Sequence, residues 1–236
     1  MKARHVLYGL TLMVMAMTMN SCDRIDDISG DPSRNAVSRN YPSAVVTLKK
    51  TYADQLFLQV DDSTMMYPIN LQNYKYNKEV RAFVNMSIPS EEELKKYPDF
   101  LADMPNVFVN WVDTIRTKDM AADLGDKNRE TYGSTPVEIV KDFSTVCEDG
   151  YLTLRFRTYF QGKTTHVLNL VRGKNPYEVC LYHNANGETQ GTVADGVIAF
   201  RLNDLPDTEG KTVDLKLRYQ SFSGEKTIIF RYKTRK

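Results

Sequence analysis

Residues 151–160 read YLTLRFRTYF. Leu152, Leu154 and Phe156 alternate with Thr153, Arg155 and Arg157, a period of two that sends one set of side chains to each face of a β-strand. The same period recurs in short runs downstream, near Thr165–Arg172, Tyr177–His183, Gly196–Leu202, Thr212–Tyr219 and Thr227–Tyr232, and upstream in Val137–Cys147. EDGY (148–151), HNANGE (183–188) and TEGK (208–211) lie between runs and place Gly where a turn wants positive φ. Seven short strands so punctuated predict a β-sandwich over residues 137–236.

Further upstream, KDMAADLGDKNRETYGSTP (118–136) breaks the pattern with polar and turn residues, which predicts a linker over 119–136. Five more strand-like runs precede it: Ala44–Lys49, Gln55–Val60, Met65–Ile69, Val80–Ile88 and Val107–Thr117. Five strands over residues 41–118 suit a small barrel. Between the last two, Ser90 and Glu93 sit at capping-box spacing, so a short helix is expected, ending before Pro98. Helical periodicity is otherwise nearly absent, and the fold class is all-β.

The N-terminus has a different character. Lys2 and Arg4 precede an apolar run, Val6–Met19, too short for the roughly 20 apolar residues that cross a bilayer. Residues 1–21 read as a signal peptide, and Ser21-Cys22 at its end resembles a bacterial lipobox, in which Cys22 is lipidated and becomes the first residue. The acids Asp23, Asp26 and Asp27 look like the short signal that sends some lipoproteins to the cell surface. Residues 22–40 are polar and have no apolar face, which suits a flexible tether. The expected location is the outer membrane, on the surface or facing the periplasm.

Loss of Lys2 and Arg4 takes the balance from 31 basic and 30 acidic side chains to one net negative charge. That argues against a nucleic-acid partner, which needs a basic field. Cys147 and Cys180 fall inside strand-like runs and are expected as buried free thiols.

Catalytic signatures are sparse. His166 and His183 are the histidines beyond the leader, and no His-x-x-x-His, His-Glu-x-x-His or Gly-x-Ser-x-Gly accompanies them. Each is expected at a strand end, bonded to backbone or open to water, with Glu148 or Asp149 as the carboxylates that could seed a site. The adjacent pairs Asp61-Asp62 and Glu148-Asp149 read as solvated turns, because neighbours in a strand or turn diverge. Trp111 shares a strand face with Val107 and Val109 and is expected in the core. Tyr74 and Tyr76, with Lys75 and Lys78, form the best candidate ligand surface of the barrel.

YPSAVVTLK, LFLQVDDSTMMYPIN, VRAFVNMSI and NWVDTIRTK, together with EDGYLTLRF, HVLNLVRGKNPYEVCLYHNANGE and AFRLNDLPDTEGKTVDLKLRY, resemble the NigD-like lipoproteins from Tyr41 to the chain end. The resemblance implies an OB-like N-terminal barrel followed by a C-terminal antiparallel β-sandwich, and an association of one member with a bacteriocin gene cluster. It brings no catalytic motif, metal or cofactor. A membrane-anchored, non-catalytic binding or accessory protein with a protein or glycan ligand is expected; a secreted hydrolase of unrecognised type is the alternative.

Overall fold

A computed structural model describes residues 42–51, 54–74, 78–99 and 101–235. The leader and tether, Cys22 and Tyr76 lie outside these residues. The first unit is a closed barrel in the order β1-β2-β3-β5-β4, built from β1 (Ala44–Lys50), β2 (Leu56–Gln59), β3 (Met65–Pro68), β4 (Val80–Ser87) and β5 (Asn106–Thr114). Val46, Leu48, Leu56, Leu58, Ala82 and Val84 fill it, as alternation along each strand requires. A short helix, α1 (Glu91–Lys96), is capped as its spacing predicts: Glu93 N–H donates to Ser90 Oγ at 3.2 Å and Ser90 N–H to Glu93 Oε2 at 2.7 Å. Leu94, Tyr97 and Leu101 then cover Phe57, Tyr67 and Ile69.

Trp111 departs from the sequence reading. Asn85 pairs with Trp111 but Met86 pairs with Val109, so Asn110 is an extra residue in a β-bulge. The bulge inverts the alternation after it, and Val112 takes the inward position while Trp111 turns to the other face, half-buried.

The second unit is a sandwich of two sheets. One has the order β10 (Val167–Arg172), β11 (Glu178–Asn184), β13 (Val213–Ser221), β14 (Gly224–Tyr232); the other runs β6 (Arg116–Asp119), β12 (Thr192–Arg201), β9 (Tyr151–Phe160), β7 (Glu138–Val140), with β8 (Val146–Glu148) beside β9. Pairing is mostly antiparallel, with parallel seams at β11–β13 and β6–β12. Leu152, Leu154 and Phe156 of β9 meet Leu168, Leu170, Val179, Leu181, Leu215 and Leu217 in one core. The run Val107–Thr117 is not one strand: Ile115 is buried at the junction with Val45 and Ala199, and the chain changes units there. Val137–Cys147 also divides, because Asp142 accepts from the N–H and hydroxyl of Ser144 and turns the chain between β7 and β8.

A polar network joins the two units. Arg81 of β4 is fully buried, donating to Thr47 Oγ1 at 3.0 Å and to Thr153 Oγ1 at 3.3 Å, 6.0 Å over the Tyr151 ring and 3.7 Å from Glu148. Lys49 reaches Asp149 at 2.6 Å, and the Asp149 N–H donates to Asp62 Oδ1 at 2.6 Å. Glu79 takes bonds from Tyr151 and Arg235. Asp149 and Glu148 are therefore not the solvated pair expected from a turn. The turn faces the barrel, and its acids become counter-charges to Arg81 and Lys49.

Candidate functional site

Residues 120–137 form a strap across the outer face of the β10-β11-β13-β14 sheet. It enters with Ala121 N–H on Leu170 O at 2.8 Å, passes through a 3-10 turn (Gly125–Lys127) and α2 (Asn128–Tyr132), and leaves with Val137 N–H on Gln220 O at 3.0 Å. The predicted linker is thus bonded to the sandwich at both ends. Under the strap lies a cleft of about 260 Å³. Its floor is the outward face of β11 and β13, with Cys180 and Arg218 opposite one another in register and Tyr182 beside Tyr132, ring centres 6.1 Å apart. Arg218 is held by Glu225 at 2.6 Å and Glu178 at 3.4 Å. Arg129, Arg172 and Lys174 line the exposed rim together with Asp123 and Asp126, and Arg129 donates to Gln220 Oε1 at 3.5 Å. Burial pushes the Cys180 thiol up, so it stays protonated and a poor nucleophile.

The back wall of the cleft includes His183 and Thr135. Behind His183 the structure brings together three side chains that the sequence did not join. His166 Nδ1 lies 2.9 Å from His183 Nε2, and His166 Nε2 lies 3.2 Å from Glu188 Oε2. His183 Nδ1 faces Thr135 O at 3.1 Å. Phe160 stacks on His166 with centres 4.4 Å apart. Glu188 accepts from the N–H groups of Gln161, Lys163 and Thr164 at 2.9, 2.6 and 2.8 Å, which hold its carboxyl down at about 2. Burial, then the neighbouring His166, lowers His183 to about 4.

These positions correct the expectation that each histidine bonds backbone or water. His183 does bond a carbonyl, but the rings also bond each other, and the carboxylate beside them is Glu188. Glu148 and Asp149 lie at the barrel junction instead. Glu188 closes the HNANGE turn; its role arises because the 161–164 loop and the 185–188 turn become neighbours, a non-local event with no local signal. The three side chains offer no common seat for a metal, since His166 turns different nitrogens to its two partners. Cys147 and Cys180 are free and only partly buried. Tyr74 is half-buried and packs against the barrel core.

Comparison with known proteins agrees with this architecture. Residues 45–115 match the NigD-like N-terminal OB domain, and residues 120–232 match the NigD-like C-terminal beta sandwich domain. A putative toxin-related protein from Parabacteroides distasonis is 32% identical, covering 81% of this chain and 92% of its own, with a TM-score of 0.68. A protein of unknown function from Bacteroides vulgatus is 24% identical over 80% of this chain and 89% of its own, with a TM-score of 0.63. A NigD-like immunity protein from Bacteroides caccae shares the fold at 18% identity, covering 79% of this chain and 90% of its own, with a TM-score of 0.54. No curated protein matches the chain. An OB barrel joined to a β-sandwich, with both halves matched in sequence, places this chain in the NigD-like family.

Proposed function

We propose that this protein is a cell-envelope lipoprotein that works by binding, in an immunity-like or accessory role, and that the cleft under the strap receives its partner. The observation that carries this reading is the state of the imidazole in the cleft wall: both nitrogens of His183 are engaged, one with His166 and one with the Thr135 carbonyl, so neither is presented to a substrate. The cleft instead offers Tyr182 and a charge-balanced lining, Arg129, Arg172, Lys174 and Arg218 beside Asp123, Asp126, Glu178 and Glu225, groups suited to gripping a polar protein segment that carries both signs of charge. The immunity protein among the structural relatives supports the role by family resemblance.

Cys22 supplies the anchor in this reading. Each lipid CH₂ buried contributes about 0.8 kcal/mol, and diacyl plus N-acyl chains hold a protein on a membrane durably. Cys22→Ser should abolish palmitate labelling, and undiminished labelling refutes the anchor. Protease added to intact cells should degrade the protein if the acidic tether directs it outward; sparing assigns it to the periplasmic face. The binding role is tested by deleting the gene and challenging cells with bacteriocins from neighbouring strains. Wild type should restore protection and an Arg172→Glu/Lys174→Glu variant, folded normally, should not. Full protection by that variant removes the cleft from the mechanism.

A further inference from the structure

The hydrogen bonds behind the cleft can be counted in protons. At one end Glu188 Oε2, an ionised carboxylate, can only accept; at the other the Thr135 carbonyl can only accept. His166 Nε2 and His183 Nδ1 must therefore both carry hydrogen. The contact between His166 Nδ1 and His183 Nε2 needs one more. Three N–H groups are required and two neutral imidazoles supply two, so the pair is one proton richer than neutral. That charge is balanced by Glu188, and the extra proton belongs on His166, the ring that touches the carboxylate. His183 remains neutral, in keeping with its lowered proton affinity.

The same line is tied to the strap. Thr135 donates its N–H to His183 O at 2.8 Å, accepts from His183 Nδ1 through its carbonyl, and takes the Ala185 N–H on its hydroxyl at 3.3 Å. Gly133 lies so close that a Cβ there would stand 2.6 Å from His183 O. The geometry points to a single extra proton held on the Glu188–His166–His183 line, and to that line as a latch that keeps the strap closed over the cleft and releases it when a second proton arrives. A proton on His183 Nε2 replaces the bond between the rings with two facing N–H groups and two adjacent positive charges. One carboxylate cannot balance both. Among the described residues in recorded contact with the line, β9 presents Phe156 and Phe160, the 161–164 loop presents N–H groups, and the strap presents the Thr135 carbonyl and hydroxyl, none of them charged. A role for the latch in binding rests on the cleft being the partner site; the proton count does not.

Long-range ¹H–¹⁵N spectra of the histidine rings at pH 7, assigned with His166→Asn and His183→Gln, test the count. One unprotonated ring nitrogen in the pair, His183 Nε2, is expected; two overturn the shared proton. Glu188→Gln keeps an acceptor for the loop N–H groups and adds an amide that can donate to His166 Nε2, so this variant should fold with a neutral pair and show two. Failure of that number to rise also overturns it. The latch is read separately, as amide-exchange protection at Thr135. Between pH 7 and pH 4 protection should fall by about tenfold or more, the factor that corresponds to roughly 1.4 kcal/mol, and His166→Asn should flatten the response by removing the facing charge. A constant wild-type protection, or an equal fall in His166→Asn, overturns the latch. Neither readout uses a ligand, so the proton line and the binding role can fail independently.

Discussion

Replacing Arg81 with Ala should damage the protein more than any surface ion pair could. The guanidinium is fully buried, and its charge is met by Glu148 at 3.7 Å, with Lys49, Asp149 and Asp62 completing the junction network nearby. Burial lowers its proton affinity while the two acids raise it, yet an Arg remains charged at neutral pH. The truncation removes donors from Thr47 and Thr153, at about 1.5–3 kcal/mol for each bond to a charged group. It also leaves acids with one counter-charge fewer and opens a void between the units. These losses overlap, and breaking a buried pair costs about 3–5 kcal/mol in total, which is the expected effect. Arg81→Met keeps the stem volume and loses the charge. It should cost less than Ala, because Nη2 makes no hydrogen bond among the described residues and part of the burial cost of the guanidinium goes uncompensated. Glu148→Gln, at a half-buried partner, should cost about 1 kcal/mol or less. Urea unfolding followed by fluorescence and circular dichroism measures all three. The Ala variant should also separate the two probes' transitions, as the barrel and sandwich lose their tie. An Arg81→Ala midpoint within 1 kcal/mol of wild type would refute the view that this network holds the units together.

Acid should weaken the fold in two stages. His183 falls from its ordinary 6.5 to about 4, so the unfolded chain binds more protons between those values; this contribution, about 3 kcal/mol, is complete above pH 6.5 and lost on descent towards pH 4. Glu188, held at about 2 against 4.5, adds stability that is complete above pH 4.5 and lost towards pH 2. Melting temperature measured from pH 7 to pH 3 should decline accordingly, and His183→Gln should lose the upper part of the decline; an unchanged profile in that variant contradicts the assignment. Gly133→Ala should cost about 1–3 kcal/mol in backbone strain alone, because φ is +87° there, with a further cost from the clash at His183 O. Thermal unfolding checks it, and a neutral result would mean the strap is not seated as described. Leu217→Ala, fully buried in the sandwich core, should cost about 2–5 kcal/mol in the same assay.

The sequence showed its strands where apolar and polar residues alternate without a break. β9 is legible from Leu152, Leu154 and Phe156 because nothing interrupts its alternation over the whole ladder with β12. The helix after Ser90 is legible because a capping box is a local bond pattern between residues three apart. Legibility ends where a position is set by something distant. Trp111 follows the correct period up to Asn110, and a single inserted residue then reverses the faces. Asp149 has the sequence of an exposed turn, but the turn is aimed at the barrel and its carboxylate is buried against Lys49.

The histidines show why absence of a motif was weak evidence about their surroundings. Metal and hydrolase signatures are local because their ligands sit on one helix or one turn. His166, His183 and Glu188 come instead from the approach to β10, the end of β11 and the following turn, and they meet because β10 and β11 pair in the register Leu168 to His183. That register is fixed by apolar residues such as Leu170 and Leu181, which must face the sandwich core. A one-residue slip would turn His183 out to solvent and break the line. The polar cluster is thus a consequence of core packing, and its proton count follows from the carbonyl and the carboxylate that packing leaves at either end.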